Sequence, residues 1–200
     1  MTKGDDTRRA VLRQAVELTS QVGLEGLTVG VLAKRVGLSK SGLYAHFESK
    51  EDLQGQVLDA AAEHYVNFVI RPAIDEPRGL PRLRRLFELW IRWGTDVFDG
   101  GCPFVAAVAD FDDRPGSPVR DRLVYHLKNL LASVARAAQI SVTEGHLRAD
   151  LDADQFAYEF WAIGLAYQHY SRLLTDPEAV DRARRAFDAL VRRSQPPELP

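Results

Sequence analysis

The chain has one cysteine and one methionine in 200 residues, no long apolar run and a net charge of only -2. Each scarcity removes a class of function. A lone Cys102 cannot close an intrachain disulfide or build a cysteine-rich zinc site, and it suits a reducing compartment. No stretch approaches about 18 uninterrupted apolar residues, and the opening MTKGDDTRRAVLRQ has no apolar segment of signal-peptide length. A soluble, cytoplasmic protein with no membrane partner is the expectation. Catalytic signatures are missing as well: there is no GxSxG elbow, phosphate loop, HExxH helix or nucleophilic-cysteine context. The acidic groups Asp110, Asp112 and Asp113, and Asp150, Asp152 and Asp154, fit turns and helix caps better than a metal. A calcium loop of the EF-hand kind also needs an internal glycine and a terminal glutamate at set spacing. His126, His146 and His169 are too scattered to define a site. The expectation is therefore no catalytic residue, no metal and no cofactor. A small helical enzyme built around Asp110 is the rival from another class.

What the chain does have is 46% hydrophobic residues, 9% of the total being aromatic, which is enough for a sizeable core. The apolar positions recur at helical spacing nearly throughout, and no segment reads as a strand. The spacing predicts helices over 7–22, from 49 to Pro72, from about 83 to 97, over 103–111, over 119–144 and 153–174, and one opened by Asp176 and Pro177. Ser49 with Asp52 and Asp152 with Gln155 have the spacing of capping boxes. The β-branched Ile140, Val142 and Thr143 weaken the end of the 119–144 helix. Charge is unevenly placed. Residues 1–50 hold eight Lys and Arg against five Asp and Glu, a net +3, so the remainder carries -5. That favours an N-terminal module facing a polyanion.

Residues 28–50, TVGVLAKRVGLSKSGLYAHFESK, give that module a shape. Thr28 caps a helix whose inner face carries Val29, Leu32, Ala33 and Val36, and Gly37 permits the left-handed backbone that ends it. Leu38 plugs the turn. Ser39 then caps a very short helix with Leu43 and Phe47 at i and i+4, leaving Lys40, Ser41, Tyr44 and Ala45 mainly on the outer face. Ser41 and Gly42 are small enough to let the backbone approach a surface. Lys40, Tyr44, His46 and Lys50 carry donors suited to phosphate oxygens. This is the layout of a helix-turn-helix that reads double-stranded DNA. Base-reading candidates are Lys40, Ser41, Gly42 and Ala45; phosphate-contact candidates are Thr28, Ser39, Tyr44, His46 and Lys50. Each also has a plain role in capping or solvation. With no Arg, Asn or Gln at the start of the second helix, base contacts reduce to Lys40 on guanine and Ala45 on thymine methyls. Arg8 and Arg9 can serve as a basic arm or as solvated charges.

The helix over 153–174 differs from the rest. It is apolar through Phe156, Phe160, Ile163, Tyr167 and Tyr170, and again through Ala157, Trp161, Gly164 and Leu165. A helix apolar nearly all round must be covered on both faces, and a second subunit is the economical cover. A central place in one large domain is the alternative. The last helix, with Val180, Ala183, Phe187 and Leu190 opposed by arginines, can complete a two-helix seam. The seam candidates are Phe156, Phe160, Ile163, Gly164, Tyr167, Phe187 and Leu190.

The stretch TVGVLAKRVGLSKSGLYAHFESKEDL resembles the DNA-binding domain of the TetR family of bacterial transcriptional regulators. Thr28, Ala33, Gly37, Leu38, Ser39, Tyr44, His46, Phe47, Ser49, Lys50, Glu51 and Leu53 stand at the positions of that family's pattern. GGCPF and ADFDDRPGSPVRD also look like a stretch found in one subgroup. The resemblance implies an all-α fold of about nine helices, with a three-helix DNA-binding domain in residues 1–48 and a ligand-binding and dimerisation domain in 49–200. It further implies a homodimeric repressor on an operator, released by a small molecule enclosed by the fourth to seventh helices. Tyr65, Phe68, Trp90, Trp93, Phe98, Phe104, Val108, Phe111, Tyr125 and Phe160 are the pocket candidates, and they suit an apolar or aromatic ligand. An aromatic stripe at helical spacing is more often core. A regulator or activator without an effector is the other reading. One departure concerns the helix before the turn, where Gly30, Val31 and Leu32 replace a charged pair and an isoleucine common in the family. Gly30 costs about 1 kcal/mol of helix propensity relative to Ala.

Overall fold

The computed structural model describes residues 3–197. All its regular elements are helical. They are α1 (Lys3–Val22), α2 (Val29–Val36), α3 (Lys40–Tyr44), α4 (Lys50–Tyr65), α5 (Arg71–Ile74), α6 (Leu80–Trp93), α7 (Pro103–Phe111), α8 (Pro118–Thr143), α9 (Ala153–Gln168) and α10 (Ala179–Ser194). A π-helical turn, Val66–Ile70, joins α4 to α5 without a break, so the described residues form nine helical rods. A second π-turn, His169–Leu173, extends α9.

That first π-turn corrects an expected boundary, for the helix does not stop at Pro72. Proline offers no N–H and its ring crowds the carbonyl one turn back, so a regular α-helix ends or kinks there. Here the turn ahead of it widens, and the N–H of Arg71 reaches the carbonyl of Val66. The helix then runs on through Pro72 to Ile74. At the other doubtful end, α8 holds to Thr143 despite its β-branched residues. The hydroxyls of Ser141 and Thr143 donate to the carbonyls four residues back, and Gly145 (φ +72) closes the rod.

By packing, the chain forms two compact units. Residues 1–64 and 96–127 make the first, and residues 65–95 and 128–200 make the second. The first holds α1 to α3, α4 as far as His64, α7 and the start of α8. Its core includes Val11, Ala15, Leu24, Leu27, Leu32, Leu43, Phe47 and Leu53. Besides packing on α2, α1 carries α7 along its length. Gly100 N–H donates to Ser20 Oγ at 3.1 Å, and Asp99 N–H to Glu17 at 3.3 Å.

The second unit is built on aromatic rings. Phe87 of α6 stacks on Phe187 of α10 at 4.1 Å, and Phe160 of α9 meets both edge-on. Trp90 stacks on both Phe160 and Trp161. Such contacts add roughly 0.5–1.5 kcal/mol per pair beyond the area buried. Outside the rings, α6 and α10 are clipped by Arg84–Asp188 at 2.7 Å and by Arg184, which holds Glu88 with two nitrogens. No helix among the described residues is long and apolar enough to cross a membrane.

Candidate nucleic-acid interface

The α2–α3 pair is set by side-chain caps. Thr28 Oγ1 accepts the N–H of Val31 at 3.2 Å and Ser39 Oγ accepts that of Gly42 at 3.0 Å. Each such cap contributes about 1 kcal/mol. Between them Gly37 takes the left-handed conformation (φ 69, ψ 26), and the N–H of Leu38 closes on Ala33 O at 3.0 Å. A side chain at Gly37 would strain that turn. Leu32 and Leu43 are buried beneath it.

These constraints leave Lys40, Ser41, Tyr44 and Ala45 exposed, Tyr44 by 54%. Thr28 and Ser39 are exposed beside them, while Gly42 and His46 are half-buried. Ser41 is within 3.0 Å of Ser39 Oγ. The short α3 thus offers small or flexible groups over its outer face, as the spacing leads one to expect. Arg8 is engaged with Gln56 at 2.6 Å and Arg9 with Asp6 at 2.9 Å.

Lys50, one of the phosphate-contact candidates, is half-buried and already engaged within the chain. Its Nζ is 2.8 Å from Glu25 Oε1 and 3.1 Å from Glu25 O. The other oxygen of Glu25 takes Arg114 at 2.9 Å, and the N–H of Glu25 donates to Asp110 at 2.9 Å. The hydrogen bond from Lys50, and then that from Arg114, holds the Glu25 carboxyl below the ordinary carboxylate range against the opposing effect of burial. Lys50, Glu25, Arg114 and Asp110 together tie the loop ahead of α2 to α4 and to the end of α7. Nothing in the spacing of residues 25, 50, 110 and 114 joins them, so this network was not visible beforehand. Asp110 serves as a cap for a loop N–H, and Asp152 likewise caps α9 by accepting from Asp154 and Gln155. Among the described residues no group of three or more His, Cys, Asp or Glu is placed to hold a metal.

The pocket candidates fall in both units. Phe98, Phe104 and Phe111 are buried in the first, where Val108 is half-buried and Tyr125 is 63% exposed. Tyr65, Trp90, Trp93 and Phe160 are buried in the second, with Phe68 half-buried. Of the seam candidates, Phe156, Phe160, Gly164, Tyr167, Phe187 and Leu190 are buried within the chain's own second unit, and Ile163 is half-buried. A Cβ on Gly164 would fall inside the Trp90 ring, so this glycine serves an internal contact. The uncovered face of α9 is one step around, through Tyr158, Ala162, Ala166, Tyr170 and Leu173. Ala162, Ile163, Ala166, Tyr170 and Arg182 line a groove of about 440 Å³ there.

Comparison with known proteins bears on both units. The model for bacterial regulatory proteins of the tetR family matches residues 11–57, and that for the tetracyclin repressor-like C-terminal domain matches residues 79–187. The latter alone spans more than half of the chain. Tetracycline repressor protein class C of Escherichia coli is 50% identical over 56 residues, covering 28% of this chain and 24% of that protein. The chain thus aligns with about a quarter of that relative's length. A TetR transcriptional regulator from Chloroflexus aurantiacus J-10-FL is 24% identical, with a TM-score of 0.82 over 96% of each chain. AibR, solved in complex with isovaleryl coenzyme A and operator DNA, is 21% identical, with a TM-score of 0.69 over 96% of this chain and 99% of that one. These two likenesses are of fold.

Proposed function

The chain belongs to the TetR family of bacterial DNA-binding transcriptional regulators, and from that premise we propose that it is a homodimeric repressor, released from its operator by a small molecule. The observation that carries the DNA-binding half is the capped turn from Thr28 to Ser39, which leaves Lys40, Ser41, Tyr44 and Ala45 outward on a five-residue helix. A helix so short and so poor in planar donors draws its affinity chiefly from phosphate contacts by Thr28, Ser39, Tyr44 and His46. Lys40 and Ala45, with Ser41 and Gly42 allowing close approach, read bases in the major groove. Lys50, already neutralised by Glu25, positions the loop and α4. The effector half is supported by AibR, which shares the fold and was solved with both a ligand and operator DNA.

Selecting bound fragments from random DNA and titrating salt tests the interface. Lys40→Ala is expected to lower the slope of log affinity against log salt by about 1 and to relax preference at one base pair. Lys50→Ala is expected to weaken binding with the slope unchanged. If no double-stranded DNA is selected, or if Lys40→Ala leaves both slope and preference intact, the assignment of α3 is wrong. Release of the selected fragment by a small molecule tests the effector.

A further inference from the structure

The second unit holds a half-enclosed cavity of about 260 Å³ where residues 70–74, the first two turns of α6 and the latter part of α8 come together. Its walls are Ile70, Ala73, Ile74, Leu86, Ala137 and Ile140. Three polar side chains share the lining: Arg82, Arg136 and Ser133. Among the described residues no carboxylate does. Arg82 spends its Nε on the carbonyl of Glu76 at 2.8 Å, which fixes the guanidinium and leaves its terminal nitrogens available. Arg136 has no ion-pair partner among the described residues. Arg136 is exposed and Arg82 half-buried, so an incoming carboxylate exchanges water on these two cations for charge-assisted hydrogen bonds while its tail enters the apolar cavity.

We propose that this cavity binds a small amphiphilic monocarboxylate, its hydrocarbon body against Ile70, Leu86 and Ile140 and its carboxylate on Arg136 and Arg82. The volume lies just below the roughly 300–1,000 Å³ of drug-sized sites, which suits a short fatty or arylalkanoic acid and excludes a nucleotide-bearing ligand from full burial. Ser133 gives its proton to Asn129 O at 2.8 Å, so it acts as a wall and not as a donor to the acid. The proposal rests on the effector reading for its consequence at the operator but not for the binding itself. None of the aromatic residues first read as the pocket lines this cavity.

Calorimetric titration of the full chain with octanoate, 1-octanol and octylamine tests it, because the three probes share a tail and differ in head-group charge. Octanoate is expected to bind at least about tenfold more tightly than either. Arg136→Met keeps the aliphatic stem and the exposed position while removing the charge. It should cut the preference for octanoate over octanol severalfold, Arg82 keeping the remainder, without changing the melting curve. Ala137→Leu, which grows into the void, should abolish binding of both. Failure of octanoate to bind, equal affinity for octanol, or an unchanged preference in Arg136→Met would each overturn the proposal. The same samples then meet the selected operator fragment. Binding that depends on Arg136 but leaves the operator bound sinks the effector reading and keeps the cavity. Release by an apolar compound unaffected by Arg136→Met and Ala137→Leu does the reverse.

Discussion

Glu25 holds Lys50 with one carboxylate oxygen and Arg114 with the other, and so acts only while ionised. Its folded pKa is depressed, chiefly by Lys50. The stability it contributes is therefore complete above the unfolded carboxylate value and disappears as pH falls through the lower folded value. Glu25→Gln is expected to be less stable than the parent at neutral pH, and the gap between their denaturant midpoints should close as pH falls below the ordinary carboxylate range. A gap of constant size down to acid pH would show that the charge is not what matters. A second residue-scale contact is tighter still. Gly164 lies against the Trp90 ring, and Trp90 Nε1 is buried with no hydrogen-bond partner among the described residues. Gly164→Ala should lower stability by roughly 1–3 kcal/mol or more. Trp90→Leu removes the ring and forfeits no hydrogen bond, so the double variant should lose clearly less than the sum of the two single losses in denaturant melts. Strict additivity would place the clash elsewhere.

At the scale of the element, α3 is too short to persist by propensity, being five residues long. It exists because Ser39 caps it and Leu43 anchors it. The helix before it has slack instead. A Cβ on Gly30 would meet nothing closer than Lys40 Cε at 3.4 Å, an ordinary contact, and its φ is not of the left-handed kind. Gly30→Ala should therefore stabilise the protein by up to about 1 kcal/mol, read as a rise in melting temperature. A fall would mean that the Lys40 stem cannot yield. The caps, the left-handed Gly37 and the starts of α2, α3, α4, α7, α8 and α9 were legible in the sequence to within a residue, because each depends on neighbours within four residues, whereas α1, α6 and α10 begin two to four residues from the expected places. The partner of Lys50 was not, since it sits at residue 25 and is braced by residues 110 and 114. Nor was the face of α9 turned inward: periodicity marks two apolar sides, and only the positions of Trp90 and Phe187 decide which one the chain covers itself.

At the scale of the whole molecule, α9 keeps one apolar face exposed. Tyr158, Tyr170 and Leu173 are 68%, 44% and 80% exposed. We expect a sedimenting mass near twice 22.4 kDa. Ala166→Glu, on the open groove and away from the internal core, should shift it to the single-chain mass while far-UV circular dichroism stays the same. A dimer unaffected by that charge would put the seam on another surface. In a dimer, operator half-sites are expected about one helical turn of DNA apart, or a multiple of it. The net +3 of the first fifty residues against -5 beyond them turns the reading heads, not the body, toward that DNA. Comparison of this molecule with its relatives meets the π-turn at 66–70. A turn spanning five residues where four would do is one residue inserted without a loop. Aligning this rod with a relative that has a plain α-helix there calls for a single gap inside a helix. Without the gap, every side chain from Arg71 to Ile74 is assigned to a face about 100° from its own.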